Sequence, residues 1–226
     1  MPSISKLGDR LIAQVVLVLC VFSFSSCTIV PDEEESADKG EKLDIYFVSD
    51  NFKPDEFAES IWGEKVVPFF KDKSLPIENI IPVWLNDQQA AGEEFGYREK
   101  EEGSPWNFRV TGSGVVTAVN TESRASTVDI DLFPNDGKAD LVLQIGPVIK
   151  DSAIRDSLDF ISFTDFTNQL EFARLSNAFN KVVNKDVTSK LDRENLMGKK
   201  ISFWGAFTQL QDSDLIRVTP VALEVE

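Results

Sequence analysis

The chain has 226 residues, 42% of them hydrophobic, and a formal net charge of -15, which is apolar enough for the core of one or two domains and too acidic for a nucleic-acid partner, whose phosphates are neutralised by Lys and Arg. It contains no histidine, which excludes Ser-His-Asp and Cys-His catalysis and histidine-built metal sites. Its two cysteines, Cys20 and Cys27, both lie near the N-terminus, so the body of the chain holds neither a disulfide framework nor a thiolate metal cluster.

Residues 1–26 read as an export leader. Lys6 and Arg10 form a short basic region, Leu11 to Phe24 is an apolar run too short to span a bilayer comfortably, and Ser25-Ser26-Cys27 follows. The arrangement resembles a bacterial lipoprotein signal, in which small residues precede a cysteine that is lipidated and becomes the first residue of the mature protein. Phe24 departs from the usual Leu of that motif. Cys27 is the expected lipid attachment point, because Cys20 follows the bulky Leu19 where the processing enzyme takes a small side chain. Residues 27–42, which include PDEEESADKGEK, are acidic and lack apolar periodicity, so they read as a solvated tether.

Residues 43–104 are expected to be a mainly helical region. Leu43 to Val48 is a short strand or extended lead-in, and Lys53-Pro54-Asp55-Glu56 has the form of a helix start, with Pro in the first turn and acids at the positive end of the dipole. Phe57, Ile61, Trp62, Val66 and Phe69 share a face, Gly63 weakens the helix, and Pro68 should kink or end it. A second stripe, Ile77, Ile81, Trp84, Ala91 and Phe95, again has helical spacing, with Pro82 predicting one kinked helix or two short ones. The tryptophans sit among aliphatic neighbours and are expected in the core. Arg98 to Ser104 is a polar break.

Residues 105–226 are expected to form a β domain with a helical insertion. Trp106 to Asn120 reads as a long strand with Phe108, Val110, Val116 and Ala118 on one parity and Gly112 and Gly114 where it bends, so that one strand can serve two sheets. Thr127 to Phe133 alternates cleanly and turns at Asn135-Asp136-Gly137 into Leu141 to Ile145. Asp151 and Ser152 start a short helix carrying Ile154 and Leu158. Asn168 with Glu171 has the form of a capping box for a longer helix with Phe172, Leu175, Phe179 and Val182 on its apolar face, ending near Val187. Ile201, Phe203 and Phe207 resume a strand, Asp212-Ser213 turns, and Leu215 to Val225 returns with a parity switch at Pro220 that marks a bulge or edge. The order of three strands, helix and two strands is that of an α+β chain built on an OB-like five-stranded antiparallel barrel with an inserted helical segment; a generic α+β sheet with helices on one side is the alternative.

The leader together with GKADLVLQIGPVI, RDSLDFISFTDFTNQLEFA and the terminal VTPV resembles an uncharacterised family of predicted periplasmic lipoproteins, domain of unknown function 2291. The resemblance spans nearly the whole mature chain. It implies a periplasm-facing, lipid-anchored protein of the cell envelope, and an association with sugar transport systems of the ATP-binding-cassette type. It assigns no catalytic residue.

Asp129, Asp131, Asp136 and Asp140 bring a calcium site or a carboxylate pair to mind. However, Asp129 and Asp131 follow ordinary solvent-side alternation and Asp136 belongs to the turn, so no metal and no cofactor is expected. Lys150 and Ser152 match no hydrolase motif. The better candidates for ligand or partner binding are Gln144, Arg155, Asp156, Asn168 and Gln169, polar groups concentrated at helix starts near Gly146-Pro147, although capping and buried hydrogen-bond networks account for the same residue types. The expectation is a non-enzymatic binding or accessory protein with a membrane-lipid anchor and an envelope protein or small polar solute as partner. A carboxylate-dependent envelope hydrolase is the alternative, separable by whether paired carboxyls line one cleft.

Overall fold

The computed structural model describes residues 52–99, 104–210, 213 and 215–226. The leader with Cys27, the acidic tether, the Leu43–Val48 segment and Asp212 of the expected last turn lie outside these residues.

Pro54 opens α1 (Pro54–Ile61) and a π-helical turn at Trp62–Val66 joins it to α2 (Val67–Lys73). Pro68 does not end the helix: it sits at the second position of α2, directly after the π-helical turn that interrupts the regular α ladder. The π turn also shifts the buried face. Phe57, Ala58, Trp62, Val66 and Phe70 are buried, whereas Ile61 and Phe69 are only partly so. After the two-residue strand β1 (Leu75–Pro76), the second stripe forms α3 (Ile77–Asn86) and α4 (Gln88–Phe95). The break between them falls at Asp87, whose carboxylate caps the N–H groups of Gln89 and Ala90, and α3 runs through Pro82.

The remaining strands are β2 (Asn107–Asn120), β3 (Thr127–Leu132), β4 (Leu141–Gln144), β5 (Lys200–Thr208) and β6 (Arg217–Val225), and between β4 and β5 lie α5 (Ala153–Asp156) and α6 (Gln169–Asp186). The fold is therefore mixed α+β on one six-stranded sheet. Pairing runs β1-β2-β3-β4-β6-β5, and β5 pairs back onto β2. The first half of β2, Asn107–Val115, pairs β5, and its second half, Gly114–Asn120, pairs β3. Gly114 is needed at the crossover: a Cβ there would stand 2.3 Å from the Asp131 carbonyl. Around Pro220 the β5–β6 register slips, which accounts for the change of apolar parity along β6.

Two expectations are corrected. The sheet is not wholly antiparallel, because β4 and β6 pair in parallel through Val142↔Arg217 and Leu143↔Val218, as does β1 with β2. Nor is Asp131 on a solvent face: it is 3% exposed, covered by the loop after β3, and its carboxylate accepts the N–H groups of Asp136 and Gly137 at 3.2 and 2.8 Å. Gly137 adopts φ +87, as the turn requires. The capping box at α6 is half-formed: Asn168 accepts from Glu171 N–H, but the Glu171 carboxylate reaches Thr167 N–H instead of Asn168.

Two apolar clusters organise the layers. One joins the inward residues of all five long strands to Ile77, Ile80 and Trp84 of α3 and Ala91 of α4. The other packs α1, α2, α5 and α6 together over Ala206 of β5 and Val221 of β6. Both faces of the β5–β6 pair are thus covered, and the segment between β4 and α6 is held against the sheet.

Candidate functional site

Beyond α4 the chain reverses at Tyr97, which exchanges backbone hydrogen bonds with Asn107 at 2.7 and 2.8 Å. Arg98 then lies over the Trp106 ring at 3.9 Å, and the Glu99 carboxylate accepts the Phe163 N–H at 3.1 Å and the Ser162 hydroxyl. This segment faces the end of α5 and the start of α6 across a cleft of about 320 Å³. Tyr97, Phe163 and Phe172 supply its aromatic walls, Leu158 and Ile161 its apolar ones, and Glu99 and Asp156 its carboxylates.

Arg155 stands behind this cleft. Its Nε donates to Asp156 Oδ1 at 2.7 Å, its Nη1 to the Phe172 carbonyl at 2.8 Å, and its guanidinium covers the Phe172 ring at 3.6 Å. Ser152 donates its hydroxyl to the other Asp156 oxygen. A second largely buried guanidinium, Arg109, lies 4.9 Å from the Tyr97 ring and 5.4 Å from Phe69, donates to the Ser157 carbonyl at 3.2 Å and approaches Asp159 at 3.8 Å. Burial lowers the Arg109 pKa, with Asp159 opposing, and burial raises that of Tyr97, assisted by the charges of Glu99 and Asp159.

The sequence-predicted residues therefore separate. Asp156 lines the cleft and Arg155 props it. Asn168 caps α6, with its carbonyl accepting from Phe172 N–H at 3.3 Å, and Gln169 is exposed at the first position of that helix. Gln144 is buried in a different network, donating to the Asp151 carboxylate and, at 2.7 Å, to Thr219. Tyr97, Glu99, Phe163 and Phe172 were not among the candidates. For Phe163 and Phe172 the signal is the aromatic density of Phe160, Phe163, Phe166 and Phe172; Tyr97 and Glu99 carry no such signal.

Asp151 ties the domain together. Its carboxylate accepts from Thr219 of β6, Gln144 of β4 and Ala153 N–H, and its carbonyl accepts from Asn180 of α6 at 2.8 Å. Burial raises its pKa, opposed by the Thr219, Gln144 and Ala153 donors and by the Arg217 charge. A carboxyl raised above its unfolded value binds its proton more tightly in the native state. Its stabilising contribution is full below the ordinary aspartate range and is lost as pH rises through the raised native value. The expected result is that wild-type unfolding free energy falls relative to Asp151→Asn by up to about 1.4 kcal/mol per pH unit across that window. Urea titrations at successive pH values check it, and parallel curves for the two proteins would refute it.

Among the described residues no group of three or more His, Cys, Asp or Glu side chains has a metal-holding arrangement, and no helix is long and apolar enough to cross a membrane. A family model described as "Predicted periplasmic lipoprotein (DUF2291)" matches residues 16–224. Among curated proteins no relative matches. The structure is similar to a crystal structure of an OB-fold protein from Thermotoga maritima, with a TM-score of 0.63 at 18% identity over 78% of this chain and 99% of the other. At that identity the likeness shows the fold.

Proposed function

Because the chain belongs to the family of predicted periplasmic lipoproteins, DUF2291, we propose that it is a non-enzymatic binding protein of the cell envelope, anchored by lipid on Cys27 and facing the periplasm, at the outer membrane where the host has one. Its aromatic cleft takes a small polar solute, serving sugar uptake by a transporter of the ATP-binding-cassette type. The circuit of pairings from β2 through β3, β4, β6 and β5 back to β2 supports a five-stranded OB-like barrel with α5 and α6 inserted between its third and fourth strands.

The cleft is the observation that carries this reading. A cavity of about 320 Å³ walled by aromatic rings, with a few fixed polar groups, is the arrangement by which small ligands are enclosed and oriented. Ring faces stack on an apolar ring face, and the oxygens of Glu99 and Asp156 accept from hydroxyls.

A carboxylate-dependent hydrolase is the second reading, favoured by the presence of Glu99 and Asp156 in one cleft. That chemistry needs one carboxyl to serve as a proton donor. Here the Asp156 oxygens already accept from the Arg155 guanidinium and Ser152, and the Glu99 carboxylate from the Phe163 N–H and Ser162, so both carboxyls are committed as hydrogen-bond acceptors. The arrangement supports recognition over acid catalysis.

Thermal-shift titration of the full chain with a panel of monosaccharides and disaccharides tests the proposal. At least one member should stabilise the protein saturably, and Phe163→Ala should abolish that shift while changing intrinsic stability by about 1 kcal/mol or less, since Phe163 is exposed. Time-dependent cleavage of a glycoside would support the hydrolase instead, and a panel with no saturable shift would defeat the solute-binding reading. For the anchor, Cys27→Ser should release the protein from the membrane fraction. Because a single acyl chain binds marginally, the wild-type intact mass should carry more than one; an unmodified wild-type Cys27 would sink the anchor.

A further inference from the structure

Although the chain carries a net charge of -15, four cations gather at one end of the sheet without carboxylate partners. Among the described residues, Arg124, Lys150, Arg193 and Arg217 form no ion pair. They line two adjoining clefts. Arg124 and Arg193 face one of about 500 Å³ together with Glu122 and Glu194. Lys150 and Arg217 face another of about 460 Å³, which Gln144 also lines. Glu122 and Ser123 border both, so the clefts are separated only by the loop joining β2 to β3.

Among the residues that line the two clefts, four cations stand against the carboxylates of Glu122 and Glu194, an excess of two positive charges on a strongly acidic protein. Arg217 lines the cleft and forms no ion pair among the described residues, although its charge is felt by the buried Asp151 carboxyl. Like charges held together in recessed surfaces repel one another and concentrate anions from solution. Arginine forks match the oxygens of a phosphate group in pairs, and lysine meets it as a point charge. Each cleft offers two cations drawn from different segments of the chain.

We propose that this double cleft binds a ligand carrying two phosphate-type groups, one seated by Arg124 and Arg193 and the other by Lys150 and Arg217. The groups belong to one diphosphorylated solute or to neighbouring headgroups of an anionic bilayer. The site is separate from the aromatic cleft and stands without it.

The test is a calorimetric titration of the full chain with fructose 1,6-bisphosphate, beside a sedimentation assay with phosphatidylcholine vesicles with and without phosphatidylglycerol. Saturable binding is expected in one arm, and the arm that responds identifies the source. Arg124→Gln and Lys150→Gln, exposed substitutions from the two clefts, should each weaken it by about tenfold. Lys138→Gln, which removes an exposed cation from the β3–β4 connection, should leave it unchanged. Absence of saturable binding in both arms overturns the proposal. So does an equal loss in Lys138→Gln, which would show a general charge effect, and so does a loss confined to one cleft's variant, which would show a site for a single group.

Discussion

Arg155→Ala is expected to lower the free energy of unfolding by about 2–4 kcal/mol. The Arg155 side chain is 10% exposed and that of Asp156 23%, so truncation leaves a largely buried carboxylate with Ser152 as its remaining partner and takes the guanidinium donor from the Phe172 carbonyl. The figure lies below the cost of breaking a fully buried pair because water reaches Asp156. Phe172 also loses the cation over its face, worth about 0.5–2 kcal/mol. Arg155→Lys should recover only part of the loss, since an ammonium cannot serve Asp156 and the Phe172 carbonyl with one rigid fork. Urea unfolding of the two variants checks this, with solute capture normalised to folded protein. A change in stability under about 1 kcal/mol would show that the guanidinium does not hold this wall of the cleft.

Arg155 also shows how far the sequence carries. Its neighbourhood was legible as polar groups at helix starts, but a recognition arginine and a propping arginine have the same local sequence. Only the Phe172 carbonyl, seventeen positions on, distinguishes them. The strand order was legible because Val128, Ile130 and Leu132 alternate and because glycine permits β2 to turn from β5 to β3. The parallel pairing of β4 with β6 was not, since periodicity specifies which face of a strand is buried and not its neighbour. Asp131 illustrates the same limit: alternation sends its side chain outward, and the loop after β3 folds back to cover it. The aromatic cleft was least visible, because Tyr97 and Glu99 reach Phe163 and Phe172 only through tertiary contact.

Trp84→Ala is expected to cost about 3–5 kcal/mol, the range for removing a large aromatic side chain from a closed core. Trp84 is 2% exposed on α3. Its ring meets Phe108 of β2 edge-on at 5.5 Å and Phe207 of β5 at 5.3 Å, and those two rings stack on each other at 4.5 Å. The substitution therefore removes the helical member of a three-ring cluster and leaves a cavity that α3, held nearby through Ile77 and Ile80, can only partly fill. Trp84→Phe should cost less, because a smaller ring still offers an edge to both partners. The loss should reach the strands, so amide exchange at Phe108 and Phe207 should quicken along with exchange in α3. If Trp84→Ala loses under about 2 kcal/mol and the strand amides keep their protection, α3 is an appendage to the sheet and not part of its core.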